Sequence, residues 1–97
     1  MSNNLPPSIR LKVISPQKLM VDEEVKEVSL PSLDGYLGIL PGHRPVFLGL
    51  AEGEIGYRLD GKKISLSIPG GYAEVLPDRV LVFVGSVKDE VEQPAEG

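Results

Sequence analysis

The chain has 97 residues, no cysteine, one histidine and a formal net charge of −4. That length suits one domain with one hydrophobic core, and the lack of thiols excludes disulfide staples, thiolate metal sites and cysteine redox chemistry. The ten Lys and Arg residues are scattered, without interleaved aromatics, against fourteen Asp and Glu, so the positive field that nucleic-acid binding needs is missing.

Met1 to Ser8 is polar, carries Pro6-Pro7 and has no signal-peptide core. Residues 1–8 are expected to be a flexible lead-in. From Ile9, apolar residues alternate with Arg10 and Lys12, the period of a half-buried strand. Ser15-Pro16-Gln17-Lys18 reads as a turn. Leu19 to Val21 and Val25 to Leu30 read as two short strands separated by the acidic run Asp22-Glu23-Glu24, and Pro31 to Gly35 as another turn.

The run from Asp34 to Pro45 holds three glycines, two prolines and the only histidine among apolar residues. A helix does not tolerate that density of glycine and proline, and a plain loop does not need Tyr36, Leu37, Ile39 and Leu40. The expectation is a short buried strand that ends in a shaped, partly exposed turn displaying His43 and Arg44, a form suited to recognition.

Asp60-Gly61 stands between two alternating runs, a strong hairpin signal because both residues accept positive φ. The turn sets the register: Leu59 opposite Lys62, Tyr57 opposite Ile64, Ile55 opposite Leu66. The apolar pattern demands the same register. Gly70-Gly71 reads as a bulge or the start of a strand. Tyr72 to Leu76 then turns at Pro77-Asp78, a type I turn with proline at its first corner, and returns as Val80 to Val84. Leu81 to Val84 is apolar on both faces, so that strand is expected to be central. A β-sandwich domain over 9–87 is followed by a charged tail at 88–97. Many short strands at regular turn spacing give an all-β fold, an antiparallel β-sandwich or a barrel. No apolar run approaches the ~20 residues of a membrane span, so membrane contact is expected only through a partner.

Catalytic machinery is hard to assemble from these residues. His43 has no serine in a nucleophile motif to serve. One histidine with Asp22, Glu23 and Glu24 is a poor metal set, and no glycine-rich phosphate loop leads into a helix. Neither an enzyme nor a cofactor is expected. His43 can satisfy a local carbonyl, as turn residues often do, or contact a partner. Tyr36 can be a rim tyrosine or a contact residue.

The motif formed by Gly35, Leu37, Gly38, Ile39, Pro41, Gly42, His43 and Pro45 resembles the signature of the epsilon subunit of rotary ATP synthases, called delta in mitochondria. Val13 to Pro16 with Leu19, and Gly70 to Val75 followed by Pro77, resemble that family's first turn and a later strand. The resemblance runs from about Ile9 to Val84 and implies the family's N-terminal β-sandwich. It also implies partners: the gamma subunit at Ser15, His43 and Leu48, and the c-ring at Tyr36. Tyr36 stands where the family often has an acidic residue, and Pro69 where it often has serine. Many members continue into a two-helix hairpin, for which Lys88 to Gly97 is too short, so the N-terminal domain only is expected. The implied function is non-catalytic coupling of the gamma stalk to the c-ring of a proton- or sodium-translocating ATP synthase. Its implied place is peripheral, on the cytoplasmic face of the bacterial inner membrane. The other reading is a stand-alone β-sandwich module that binds a protein or peptide through the 34–45 loop.

Overall fold

Alternation of β-branched and polar residues produces nine strands in the computed structural model, which describes residues 5–85. They are β1 (Ile9–Ile14), β2 (Leu19–Val25), β3 (Val28–Ser32), β4 (Gly35–Ile39), β5 (Val46–Leu50), β6 (Gly53–Leu59), β7 (Lys62–Ile68), β8 (Gly71–Leu76) and β9 (Arg79–Val84). The expected tail at 88–97 lies outside the described residues, as do the first four residues of the expected lead-in.

The strands run in the order β2-β1-β9-β8-β5-β3-β6-β7, with β4 paired to β3. A single bridge, Ser32 to Leu50, joins β3 to β5. At that corner the sheet folds into two layers, β2-β1-β9-β8-β5 and β4-β3-β6-β7, and β2 packs across β6. The inner faces meet in one aliphatic core that includes Ile9, Leu11, Val13, Leu30, Ile55, Val75, Val80 and Val82. The all-β sandwich follows from period-two patterning on both layers. All strand pairs are antiparallel except β1 and β9, which run parallel from Arg10 beside Arg79 to Ile14 beside Phe83.

The β6–β7 hairpin has the expected register, from Leu59↔Lys62 to Ile55↔Leu66. Its turn residues Asp60 and Gly61 have φ of 54° and 78°. β8 and β9 join through Pro77-Asp78, with Leu76 opposite Arg79, and β9 is central, flanked by β1 and β8. Gly71 opens β8 at φ 148°. A Cβ there would collide with the Phe83 carbonyl oxygen, so only glycine fits.

Four expectations need correction. Asp22-Glu23-Glu24 does not break the second strand. It lies within β2, where Arg10 bonds Asp22 at 2.8 Å and pairs with Glu24 at 3.5 Å. The break falls at Lys26-Glu27. Pro31 and Ser32 belong to β3, and the turn is Leu33-Asp34 alone. The strand within Asp34–Pro45 is largely exposed rather than buried: only Ile39 of β4 is fully covered. β5, Val46 to Leu50, is a strand that the alternation did not reveal.

Candidate binding surface

On β5, Val46, Leu48 and Leu50 face the core, while Phe47 and Gly49 face outward. On β8 and β9 the outward residues are Tyr72, Glu74, Leu81 and Phe83. Cross-strand register places Ile14, Phe83, Tyr72 and Gly49 in one row. The rings of Phe47 and Tyr72 lie 5.4 Å apart, and those of Tyr72 and Phe83 stack at 5.2 Å. Phe47 is 65% exposed and Tyr72 46%. Leu33, at the tip of the β3–β4 hairpin, extends this apolar belt by covering Gly49: a Cβ at 49 would come within 2.7 Å of Leu33 Cδ1. The outer face of the first layer is therefore a diagonal of aromatic rings with aliphatic flanks. Stacking of this kind lends rigidity, and an exposed apolar patch of this kind fits a protein partner.

The expected contact residues are distributed around this face. Ser15 is 7% exposed. Its Oγ accepts from the N–H groups of Gln17 and Lys18 and donates to the Lys18 carbonyl, so its side chain closes the β1–β2 turn. His43 lies at the other end of the strands, in a turn where its N–H donates to the Leu40 carbonyl and the Gly42 N–H donates to the Pro77 carbonyl. Its Nδ1 bonds the Arg44 carbonyl at 2.6 Å and so carries the proton. Ser15 and His43 are not brought together: a strand length of the first layer separates them, about 17 Å for six residues. Leu48 packs against the core beneath the same face. Phe47, one position earlier, is the outward residue that sequence reasoning missed.

The second layer presents a different exterior. Gly38, Ser29, Gly56 and Ser65 occupy one row across β4, β3, β6 and β7, leaving a hollow of about 280 Å³ bordered by Leu40 and Lys63. Tyr36, 64% exposed, leans across Pro31, and its hydroxyl accepts from the Glu54 N–H at 3.1 Å. A Cβ on Gly53 would lie 2.8 Å from that hydroxyl. Among the described residues, two titratable groups are perturbed. The hydrogen bond that Arg10 donates to Asp22 raises the Arg10 pKa, and burial, then the charge of Glu23, pushes up the Tyr57 phenol. Among the described residues, no group of three or more His, Asp or Glu side chains could hold a metal ion.

A family model described as the beta-sandwich domain of the ATP synthase Delta/Epsilon chain matches residues 8–90. The ATP synthase epsilon chain of Solibacter usitatus is 41% identical over 59 residues, which cover 61% of this chain and 44% of that protein. The epsilon chain of Gloeobacter violaceus is 41% identical over 54 residues, 56% of this chain and 41% of that one. The chain thus spans less than half the length of these curated relatives. Among solved structures, a chain of the Euglena gracilis mitochondrial ATP synthase, in an assembly of OSCP, F1 and c-ring, superposes with a TM-score of 0.78. It is 26% identical, over 87% of this chain and 54% of that chain. A chain of the Tetrahymena thermophila mitochondrial ATP synthase central stalk and c-ring shares the fold, with a TM-score of 0.67 at 14% identity over 92% and 75%.

Proposed function

Because this chain belongs to the delta/epsilon family of ATP synthase subunits through its β-sandwich domain, we propose that it is a non-catalytic coupling element of the central stalk. In that role it joins the gamma subunit to the c-ring of a proton- or sodium-translocating ATP synthase. The aromatic diagonal Phe47-Tyr72-Phe83 carries this reading. Apolar rings, pre-stacked and half exposed, supply contact area at low entropic cost, the pattern of an anchor for a protein partner.

Gamma covers the outer face of the first layer in this reading. The Ser15 turn borders one end of that face and the His43 turn the other. Leu48 acts from beneath by fixing the strand that turns Phe47 outward. Tyr36, on the second layer, meets the c-ring loops by packing and hydrogen bonding. Two surfaces on one closely packed sandwich transmit torque without slip, because such interiors deform little. The place of action is peripheral, at the cytoplasmic face of a bacterial inner membrane, reached through the complex.

Titration of purified gamma with this chain tests the reading. Tyr72→Ser is expected to weaken binding at least about tenfold, the scale of an interface anchor, with an unchanged far-ultraviolet spectrum. Equal affinities for the wild type, Tyr72→Ser and Phe83→Ser would refute the aromatic face as the gamma site.

A further inference from the structure

The edges of the two layers are protected unequally. β2 carries Asp22, Glu23 and Glu24, and β7 opens on Lys62 and Lys63. Charges of this kind keep a free edge from pairing with another chain. β4 has no such protection: Gly35-Tyr36-Leu37-Gly38-Ile39 contains no charge and no proline. Among the described residues it pairs with β3 alone.

Register determines which of its backbone groups face outward. Pro31 lacks an N–H, so Pro31↔Tyr36 is a non-hydrogen-bonded pair. By alternation, Ser32↔Gly35, Leu30↔Leu37 and Val28↔Ile39 are the pairs that exchange bonds. The Pro31 carbonyl accepts instead from the Ala51 N–H, at 2.8 Å. The N–H and C=O groups of Tyr36 and Gly38 therefore point to the open edge. The Tyr36 ring leans away toward Glu54, and a Cβ on Gly38 would meet nothing within 4 Å. Neither position blocks the approach of another strand.

We propose that this edge pairs with the same edge of a second copy of the chain. Antiparallel pairing about a two-fold axis at Leu37 sets Tyr36 opposite Gly38 of the second copy and Gly38 opposite Tyr36. Both pairs are in phase for hydrogen bonding and give four backbone bonds. A slip of one residue puts every group out of phase, and a slip of two removes one of the pairs. Each pair matches a large side chain with none, which avoids crowding of the two tyrosines. The antiparallel order also brings the Asp34 end of one copy beside the 40–44 turn of the other, where Arg44 is exposed. Neither Asp34 nor Arg44 is in an ion pair among the described residues. The edge belongs to the layer opposite the aromatic face, so dimerisation leaves that face open. The proposed c-ring contact at Tyr36 covers the same edge, so self-pairing belongs to the chain outside the assembly.

Sedimentation equilibrium of the full chain is expected to show a concentration-dependent dimer. Gly38→Lys, which installs the missing charge, is expected to raise the dimer dissociation constant about tenfold or more without loss of β signal. The chain has no cysteine, so a single thiol reports proximity cleanly. Leu37→Cys is expected to form a disulfide-linked dimer on mild oxidation, because Leu37 faces its own copy with Cα atoms about 4.5 Å apart. Ser67→Cys, on the exposed face of the other edge, is expected to remain monomeric. If Leu37→Cys fails to fold, the sedimentation result with the wild type and Gly38→Lys decides. A monomer at all concentrations, equal cross-linking at 37 and 67, or a dimer that survives Gly38→Lys but is lost in Tyr72→Ser would overturn the proposal.

Discussion

The two layers of the sandwich are alike inside and unlike outside. Inward, both present aliphatic side chains that interdigitate in one core: Leu11, Val75 and Val82 from one layer, Leu30 and Ile55 from the other. Outward, the first layer shows Phe47, Tyr72 and Phe83, and the second shows Ser29, Gly38, Gly56 and Ser65. The inner faces set stability, and burial is indifferent to which layer supplies it. The outer faces set what the molecule can touch, and there the layers offer different surfaces.

The largest effects are expected where the layers agree. Leu11→Ala and Leu30→Ala remove fully buried side chains, one from each layer, and each is expected to cost about 2–5 kcal/mol. Urea midpoints check this. A loss confined to one variant would break the equivalence of the inner faces. Next comes the β6–β7 turn of the second layer. With Gly61 at φ 78°, Gly61→Val is expected to destabilise the domain by roughly 1–3 kcal/mol through backbone strain; equal melting midpoints for variant and wild type would count against it. The outer faces should separate function from stability. Tyr72→Ser is expected to lower gamma affinity at least about tenfold, about 1.4 kcal/mol or more, whereas Ser65→Thr on the other layer leaves it unchanged. Comparable losses from both, measured by calorimetry, would erase the distinction.

The smallest effect concerns Tyr57, whose phenol faces the shared interior. Its pKa is raised in the folded chain by burial and by Glu23, so the unfolded chain releases that proton first. Tyr57 therefore contributes stability that is complete below the ordinary phenol pKa near 10 and is lost as pH rises through the raised folded value. Thermal midpoints are expected to fall above pH ~10, and less steeply for Tyr57→Phe. Parallel pH profiles for the two proteins would contradict this.

Local signals made much of the fold legible in the sequence. Asp60-Gly61 encodes its turn and register in four neighbouring residues, and the doubly apolar run Leu81–Val84 announces a strand flanked on both sides. The misreadings arose where a partner strand decides. Asp22 and Glu24 look like a strand end until Arg10 is seen beside them on β1. In Val46–Leu50, Gly49 and the outward Phe47 disguise the alternation. With that strand unseen, nothing fixed whether Phe47 or Leu48 faces the core, and a one-residue shift inverts the answer. The aromatic diagonal joins residues from three strands separated by up to 36 positions, and chain order alone does not bring them together. Ser15 and His43 are both found in turns, as expected, but sequence does not say that the turns lie at opposite ends.

The parallel pairing of β1 with β9 has a consequence for synthesis. β1 leaves the ribosome well before β9, its neighbour in the middle of the layer and the last strand described. Until Arg79–Val84 emerges, β1 and β8 each present an unfilled side, and the first layer is two fragments with a slot between them. At roughly 5–20 residues per second, that interval lasts several seconds. Closure therefore waits for nearly the whole domain to be translated, and it depends on contacts far apart in the chain, the kind that form slowly. A released fragment that ends before Arg79 would be expected to remain sensitive to protease, and the chain that includes those six residues to be resistant.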